Sequence, residues 1–138
     1  MQQINHVLLI DDDPIFNMIS KSLVKRAEFS PEVSTCSDAN IALDELRTRV
    51  RVNYEEFPDV IFLDLDMPKM DGWAFLEEFQ KFPEWSVKKC RVFILSSSIS
   101  HRDVEKSRMY EVVCDFISKP LTIDKIETIW FPRELVAA

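Results

Sequence analysis

Glycine is almost missing: Gly72 is the single one in 138 residues. Phosphate cradles such as GxGxxG, or GxxxxGK followed by Ser or Thr, need several glycines, so classical nucleotide-binding loops are excluded. Cysteine is scarce and odd in number. Cys36, Cys90 and Cys114 form no CxxC and no cluster with His6 or His101, which argues against a disulfide framework or a zinc site and leaves reduced, partly buried thiols as the expectation. Positive charge is in deficit, with 17 Lys and Arg against 24 Asp and Glu, a net charge of −7 and a pI near 4.8. A binder of phosphate backbones is normally basic, so nucleic acid is not expected as a direct partner. No apolar run approaches the roughly 20 residues of a membrane helix. The first six residues, Met-Gln-Gln-Ile-Asn-His, lack a basic region followed by an apolar stretch, so no secretory signal is visible and a cytoplasmic location is the expectation.

What is present fits one domain over residues 1–138, its core from about 5 to 131, with no output domain expected. A chain of this size buries roughly 68–70% of its unfolded surface and needs no staples. Val7 to Ile10 is a short continuous apolar run, as in a strand buried on both faces of a parallel sheet. Asp13-Pro14 reads as N-cap and first helical residue, and Ile15, Ile19 and Leu23 then recur every four residues. Glu32 to Cys36 alternates weakly as a strand, Asp38 caps a helix, and Ala42, Leu43 and Leu46 form its apolar stripe. Residues 50–58 look like a helix end and an exposed loop, with no assignable role. Val60 to Leu63 is a second apolar run ending at Asp64; Pro68 and Asp71-Gly72 form a loop before a helix carrying Phe75, Leu76 and Phe79. Val92 to Leu95 is the third run. Ser100 and Asp103 have capping-box spacing before a helix to about Tyr110. A short strand, Asp115 to Ser118, precedes Lys119-Pro120 and an amphipathic helix from about Thr122 to Trp130. Strands alternating with helices imply an α/β domain, a parallel sheet with helices on both faces.

In open sheets of this kind ligands bind outside the carboxyl ends of the strands. The residues expected there are Asp11 and Asp12, Asp64 with Asp66, Ser96 with Ser97, and Lys119. If the first and third strands are neighbours, at least three carboxylates converge, which raises pKa values or recruits a cation. An all-oxygen cluster selects a hard cation, Mg²⁺ or Mn²⁺. With Lys119 and the Ser96 hydroxyl added, the set describes a pocket for an anion beside a divalent metal, the parts phosphoryl transfer needs. Asp64, ending the most apolar run, is the best candidate nucleophile.

Asp11-Asp12, the stretch from Phe62 to Gly72, Ser96-Ser97 and Ile117 to Pro120 together resemble, in the same order, the motif set of the response-regulator receiver domain, from Val7 to about Trp130. The resemblance implies a doubly wound five-stranded parallel sheet of order 2-1-3-4-5, flavodoxin-like, and a stand-alone switch of the chemotaxis-regulator kind. It implies that Asp64 is the phosphoacceptor and that Asp11 and Asp12 hold Mg²⁺ with the backbone carbonyl of Asp66. Ser96 and Lys119 would contact the phosphoryl group. Phe116 stands where an aromatic residue turns inward and reshapes the face of the fourth helix, fifth strand and fifth helix. The implied partners are a histidine kinase or histidine phosphotransfer protein and a downstream protein target. Lys119-Pro120 is a candidate cis peptide.

Simpler readings stand beside these. Asp13 is more simply an N-cap than a ligand, Ser96 could be loop punctuation, Lys119-Pro120 a surface turn, Phe116 core, and Trp73, Trp85 and Trp130 packing residues. The histidines carry no expected catalytic role. Asp64-Leu-Asp66 also resembles the DxD pair of haloacid dehalogenase-like phosphatases, but there the DxD lies on the first strand and the acidic pair comes last, the reverse of this order. A phosphorylation-independent module on the same fold would normally have lost an acid of the pair, the acceptor or the lysine, and all are present.

Overall fold

A computed structural model describes residues 4–52 and 54–130, without the Trp130 side chain. The three apolar runs become the interior of a sheet: β1 (His6–Ile10) and β3 (Val60–Asp64) are buried at every position, and β4 (Arg91–Ser96) at all but its first. β2 (Glu32–Cys36) and β5 (Val113–Ser118) are more exposed because they are the edges. All pairings are parallel and the order is β2-β1-β3-β4-β5, as expected. Side chains alternate between the two faces of a strand. Leu8, Ile10, Ile61, Leu63 and Ile94 therefore join one core with Leu43, Leu46, Phe75, Leu76 and Phe79, while Val7, Leu9, Phe62 and Phe93 join a second with Val24 and Ile126. The first face is covered by α2 (Ala39–Val52) and α3 (Gly72–Phe79), the second by α1 (Pro14–Arg26) and α6 (Ile123–Trp130). Each large buried side chain contributes about 1.5–3 kcal/mol, and both layers are needed to hold the sheet.

The helix starts follow their caps. Asp13 accepts from the Ile15 and Phe16 amides, Asp38 from Asn40 and Ile41, Asp71 from Ala74, and Ser100 from Asp103. At the other end of α1 the Glu28 amide donates to Lys25 O and that of Phe29 to Val24 O. Glu28 takes φ 54°, a left-handed residue closing the helix where glycine is usual.

Several expectations need correction. Ile15 and Ile19 are 64% and 52% exposed; α1 instead buries Asn17, Ser20 and Val24, because an every-fourth-residue pattern rotates by about 40° per step and Ile15 lies off the core stripe that Leu23 approaches. Residues 50–58 are not simply an exposed loop. α2 runs on to Val52, a 3-10 turn spans Tyr54–Glu56, and Phe57 is wholly buried, its ring among those of Phe79, Phe82 and Trp85. An unexpected short helix, α4 (Glu84–Lys89), supplies Trp85 and also Lys89, which donates to Phe57 O at 2.8 Å and lies 3.8 Å from buried Asp59. α5 (His101–Ser107) ends a turn before Tyr110, and β5 begins two residues earlier than expected. Cys36 and Cys90 are buried and Cys114 is exposed, and no disulfide joins them. Trp73 and Trp85 pack as expected, half-buried against the core; the Trp130 side chain lies outside the described residues. Among the described residues no helix is long and apolar enough to cross a membrane.

His6 has a structural role. Its Nδ1 lies 3.0 Å from the Arg49 guanidinium and its Nε2 2.9 Å from Ser34 Oγ. Nδ1 also lies 3.2 Å from Glu56 O; the guanidinium can only donate and the carbonyl only accept, so these two contacts favour opposite tautomers of the ring. Burial, with Arg49 adding to it, lowers the His6 pKa below its usual 6.5.

Candidate phosphoryl-transfer site

β1 and β3 are adjacent, so their carboxyl ends bring the acids together. Oxygens of Asp11, Asp12 and Asp64 all lie within 4.8 Å of one another, Asp12 exposed and the other two buried. Asp11 is fixed from both sides, its Oδ1 accepting from the Asp13 amide at 2.9 Å and its Oδ2 from Lys119 Nζ at 2.7 Å. Lys119 also reaches Asp64 Oδ1 at 3.4 Å. It leaves the end of β5 at an X-Pro peptide that is cis, and its amide donates to Ser96 O at 2.9 Å.

The electrostatics follow from burial. Desolvation, with Asp11 alongside, raises the Asp64 carboxyl from 3.8 to about 6, and Lys119 pulls it back only in part. Desolvation lowers the Lys119 ammonium, yet Asp11 and Asp64 outweigh it and its pKa rises. One ammonium among three carboxylates leaves negative charge uncompensated, and an all-oxygen donor set suits a hard divalent cation. The residues present therefore fit Mg²⁺.

Ser96 ends β4, one residue after Leu95, the partner of Asp64. It is buried, and its hydroxyl donates to Ser98 O at 2.8 Å and accepts from the Ser98 amide at 3.2 Å. A cleft of about 530 Å³ opens beside it, lined by Asp66, Met67, Trp73 and Ser98 among others. Asp66 is exposed, and its amide lies 3.3 Å from Asp64 Oδ1. The loop beyond it turns at Lys69, φ 68°, where the Met70 amide donates to Pro68 O. Phe116 is half-buried against the core, opposite Ile94.

Two contributors escaped the sequence reading, and a third was read there only as part of a loop and a motif. Asn17, one turn into α1, is buried and donates through Nδ2 to Asp11 O at 2.8 Å and Cys36 O at 3.4 Å, tying two strand ends together. Phe16 presents its ring 4.5 Å from Lys119 Nζ. Gly72 donates to Leu65 O at 3.0 Å, and a Cβ there would stand 2.7 Å from Asp64 O and 2.9 Å from Leu65 Cα. The lone glycine was the one legible signal of the three.

Three carboxylates and a lysine gathered at the carboxyl edge of a parallel 2-1-3-4-5 sheet define a class, flavodoxin-like domains with an acidic site at the strand ends. The model of the response regulator receiver domain matches residues 7–130. The two-component response regulator ORR26 of Oryza sativa subsp. japonica is 33% identical over 128 residues, 90% of this chain and 19% of that protein. ARR11 of Arabidopsis thaliana is 31% identical over 90% of this chain and 21% of its own. The chain thus spans about a fifth of the curated relatives it matches. Among solved structures, a two-component response regulator from Cytophaga hutchinsonii superposes with a TM-score of 0.85 at 27% identity, covering 99% of this chain and 100% of that one. A receiver protein from Dyadobacter fermentans gives 0.77 at 27%, covering 92% of this chain and 98% of its own. This chain belongs to the response regulator receiver family of two-component signalling. Its members are signalling switches, for which Mg²⁺ and exchange of partners are general.

Proposed function

We propose that Asp64 accepts a phosphoryl group from a phosphohistidine on a histidine kinase or histidine phosphotransfer protein. In this reading an Asp64 oxygen forms the new O–P bond as the P–N bond to the donor imidazole breaks, and the departing nitrogen takes up a proton. Water later adds to phosphorus, releasing inorganic phosphate and restoring the carboxylate. The chain thus catalyses its own phosphorylation and slow dephosphorylation and turns over no metabolite. Asp11, Asp12, Asp64 and the Asp66 backbone carbonyl are the groups that would hold Mg²⁺, with Mn²⁺ as a substitute. When bound, the ion neutralises charge on the phosphoryl oxygens. Lys119 pairs with one of those oxygens, and the Ser96 hydroxyl, exchanging its bond to Ser98, donates to another. Phe116 follows inward, and the altered face of α5, β5 and α6 binds a downstream protein target. The reading places the chain in the cytoplasm, with neither direct nucleic-acid contact nor membrane insertion.

The observation that carries this reading is the burial of Asp64 beside Asp11 and Asp12 with Lys119 Nζ 3.4 Å away. Incubation with Mg²⁺ and acetyl phosphate is expected to add one phosphoryl group, labile to alkali and hydroxylamine, by intact-mass measurement. Asp64→Asn is expected to abolish the label; equal labelling of that variant would remove the assignment. Lys119→Ala is expected to slow labelling by about 100–1,000-fold while a Mg²⁺ titration followed by tryptophan fluorescence changes little.

A further inference from the structure

The far end of α2 and α3 has a composition unlike the rest of the chain. α3 starts beside Leu65 and runs away from the carboxylates, so its C-terminal end and the turn after it lie at the opposite edge of the sheet. A cleft of about 490 Å³ opens there between the two helices. Its walls carry Arg47, Arg51 and Lys81 against one acid, Glu78, in a chain where acids outnumber bases 24 to 17. Its floor is apolar: Val50 and Phe82 are half-buried against the core, with Pro83 beside them. Arg47 pairs with Asp44 at 3.1 Å and Lys81 with Glu78 at 3.2 Å. Both are exposed pairs within one stretch of chain, a kind worth about 0–1 kcal/mol, and they yield readily to a better acceptor. Arg51 has no ion-pair or hydrogen-bond partner among the described residues.

We propose that this groove docks an acidic segment of a partner protein. An apolar or aromatic side chain of the segment sits on Val50, Phe82 and Pro83, and its carboxylates face Arg51, Arg47 and Lys81. Charge complementarity selects this occupant. Two copies of the chain meeting through the same groove would set one cation cluster against another. A long polyanion would lie along more of a surface whose net charge is −7, whereas a short segment meets mainly the groove's own charges, since salt screens charges more than about 8 Å away. Because the groove and Asp64 lie at opposite ends of α3, docking is independent of chemistry at Asp64. It keeps the partner in place before and after that change.

The test is a titration of the ¹⁵N-labelled full chain followed by amide shifts. The probes are seven-residue peptides of Asp and Glu with a central Phe, Leu or Trp, and their Lys and Arg counterparts. Expected are shifts of the Val50, Arg51, Lys81 and Phe82 amides with the acidic set only, and an affinity that weakens as NaCl is raised. Arg51→Glu with Lys81→Glu, both exposed positions, is expected to weaken binding about tenfold or more without changing the far-ultraviolet dichroism. Addition of Mg²⁺ and acetyl phosphate is expected to leave the affinity unchanged. The proposal is overturned if no acidic peptide shifts the groove, if the basic set binds as well, or if the charge-reversed chain binds unaltered. It also fails if affinity changes on treatment with acetyl phosphate, or if phosphatidylglycerol vesicles shift these amides where the peptides do not.

Discussion

Asp64 and His6 titrate in opposite senses, and their effects on stability can be separated. A carboxyl held near 6 in the fold rather than near 3.8 resists ionisation, so without divalent metal Asp64 weakens the fold at neutral pH by on the order of 2–3 kcal/mol. This penalty fades as the pH falls from about 7 towards 4. His6 behaves the other way: its lowered pKa means that the stability it contributes is present above about 6.5 and is lost as the pH falls below that value. Urea denaturation in EDTA is expected to show Asp64→Asn more stable than the native sequence at pH 7, with a steeper loss on acidification, since only the His6 effect remains. The chemical identity of the acids and lysine was legible because charge at the end of an apolar strand has few structural uses. Asn17 and Phe16 were illegible for the complementary reason: a polar and an aromatic residue on a helix look alike whether they face solvent or a strand end, and only the rotation of α1 decides it.

Among elements, the ends of helices hold two rules that the sequence keeps in different ways. α1 closes on Glu28 in the left-handed region, with Phe29 and Val24 buried beneath it. Glu28→Gly is expected to stabilise by about 1 kcal/mol, raising Tm by roughly 4 °C in a calorimetric scan. α3 opens on the opposite case. At Gly72 the added methyl of Gly72→Ala would meet backbone rather than a movable side chain. We expect a loss of about 1–3 kcal/mol in denaturant melts together with slower labelling by acetyl phosphate, since the displaced atoms belong to Asp64 and its neighbour. Strands were legible at this scale because a strand buried on both faces has no polar position to confuse the pattern. Helix faces were less so, as Ile15 and Ile19 demonstrate, and α4 has too few residues to show a period.

At the scale of the whole molecule, residues 54–57 close the core around Phe79, Phe82 and Trp85. Phe57 is wholly buried while its neighbours Tyr54, Glu55 and Glu56 are exposed, so its polar surroundings in sequence hid it. Phe57→Ala is expected to cost about 3–5 kcal/mol, measured by urea titration, while the folded fraction still accepts the label from acetyl phosphate, because the cavity opens at the edge remote from Asp64. The sheet order was carried by the family motifs, and the layering by alternation within the apolar runs. The segment around Phe57 had no such guide, since a single aromatic among charges has no periodicity.

Lys119 meets Asp11 across 108 positions of chain, from one outer strand over two others to the strand beyond them. A ribosome has nearly finished the domain before that ammonium exists. Until then Asp11 and Asp64 have no ammonium to pair with. On the reading proposed above for Asp64, full reactivity therefore arrives last in biosynthesis, once β5 has joined the sheet.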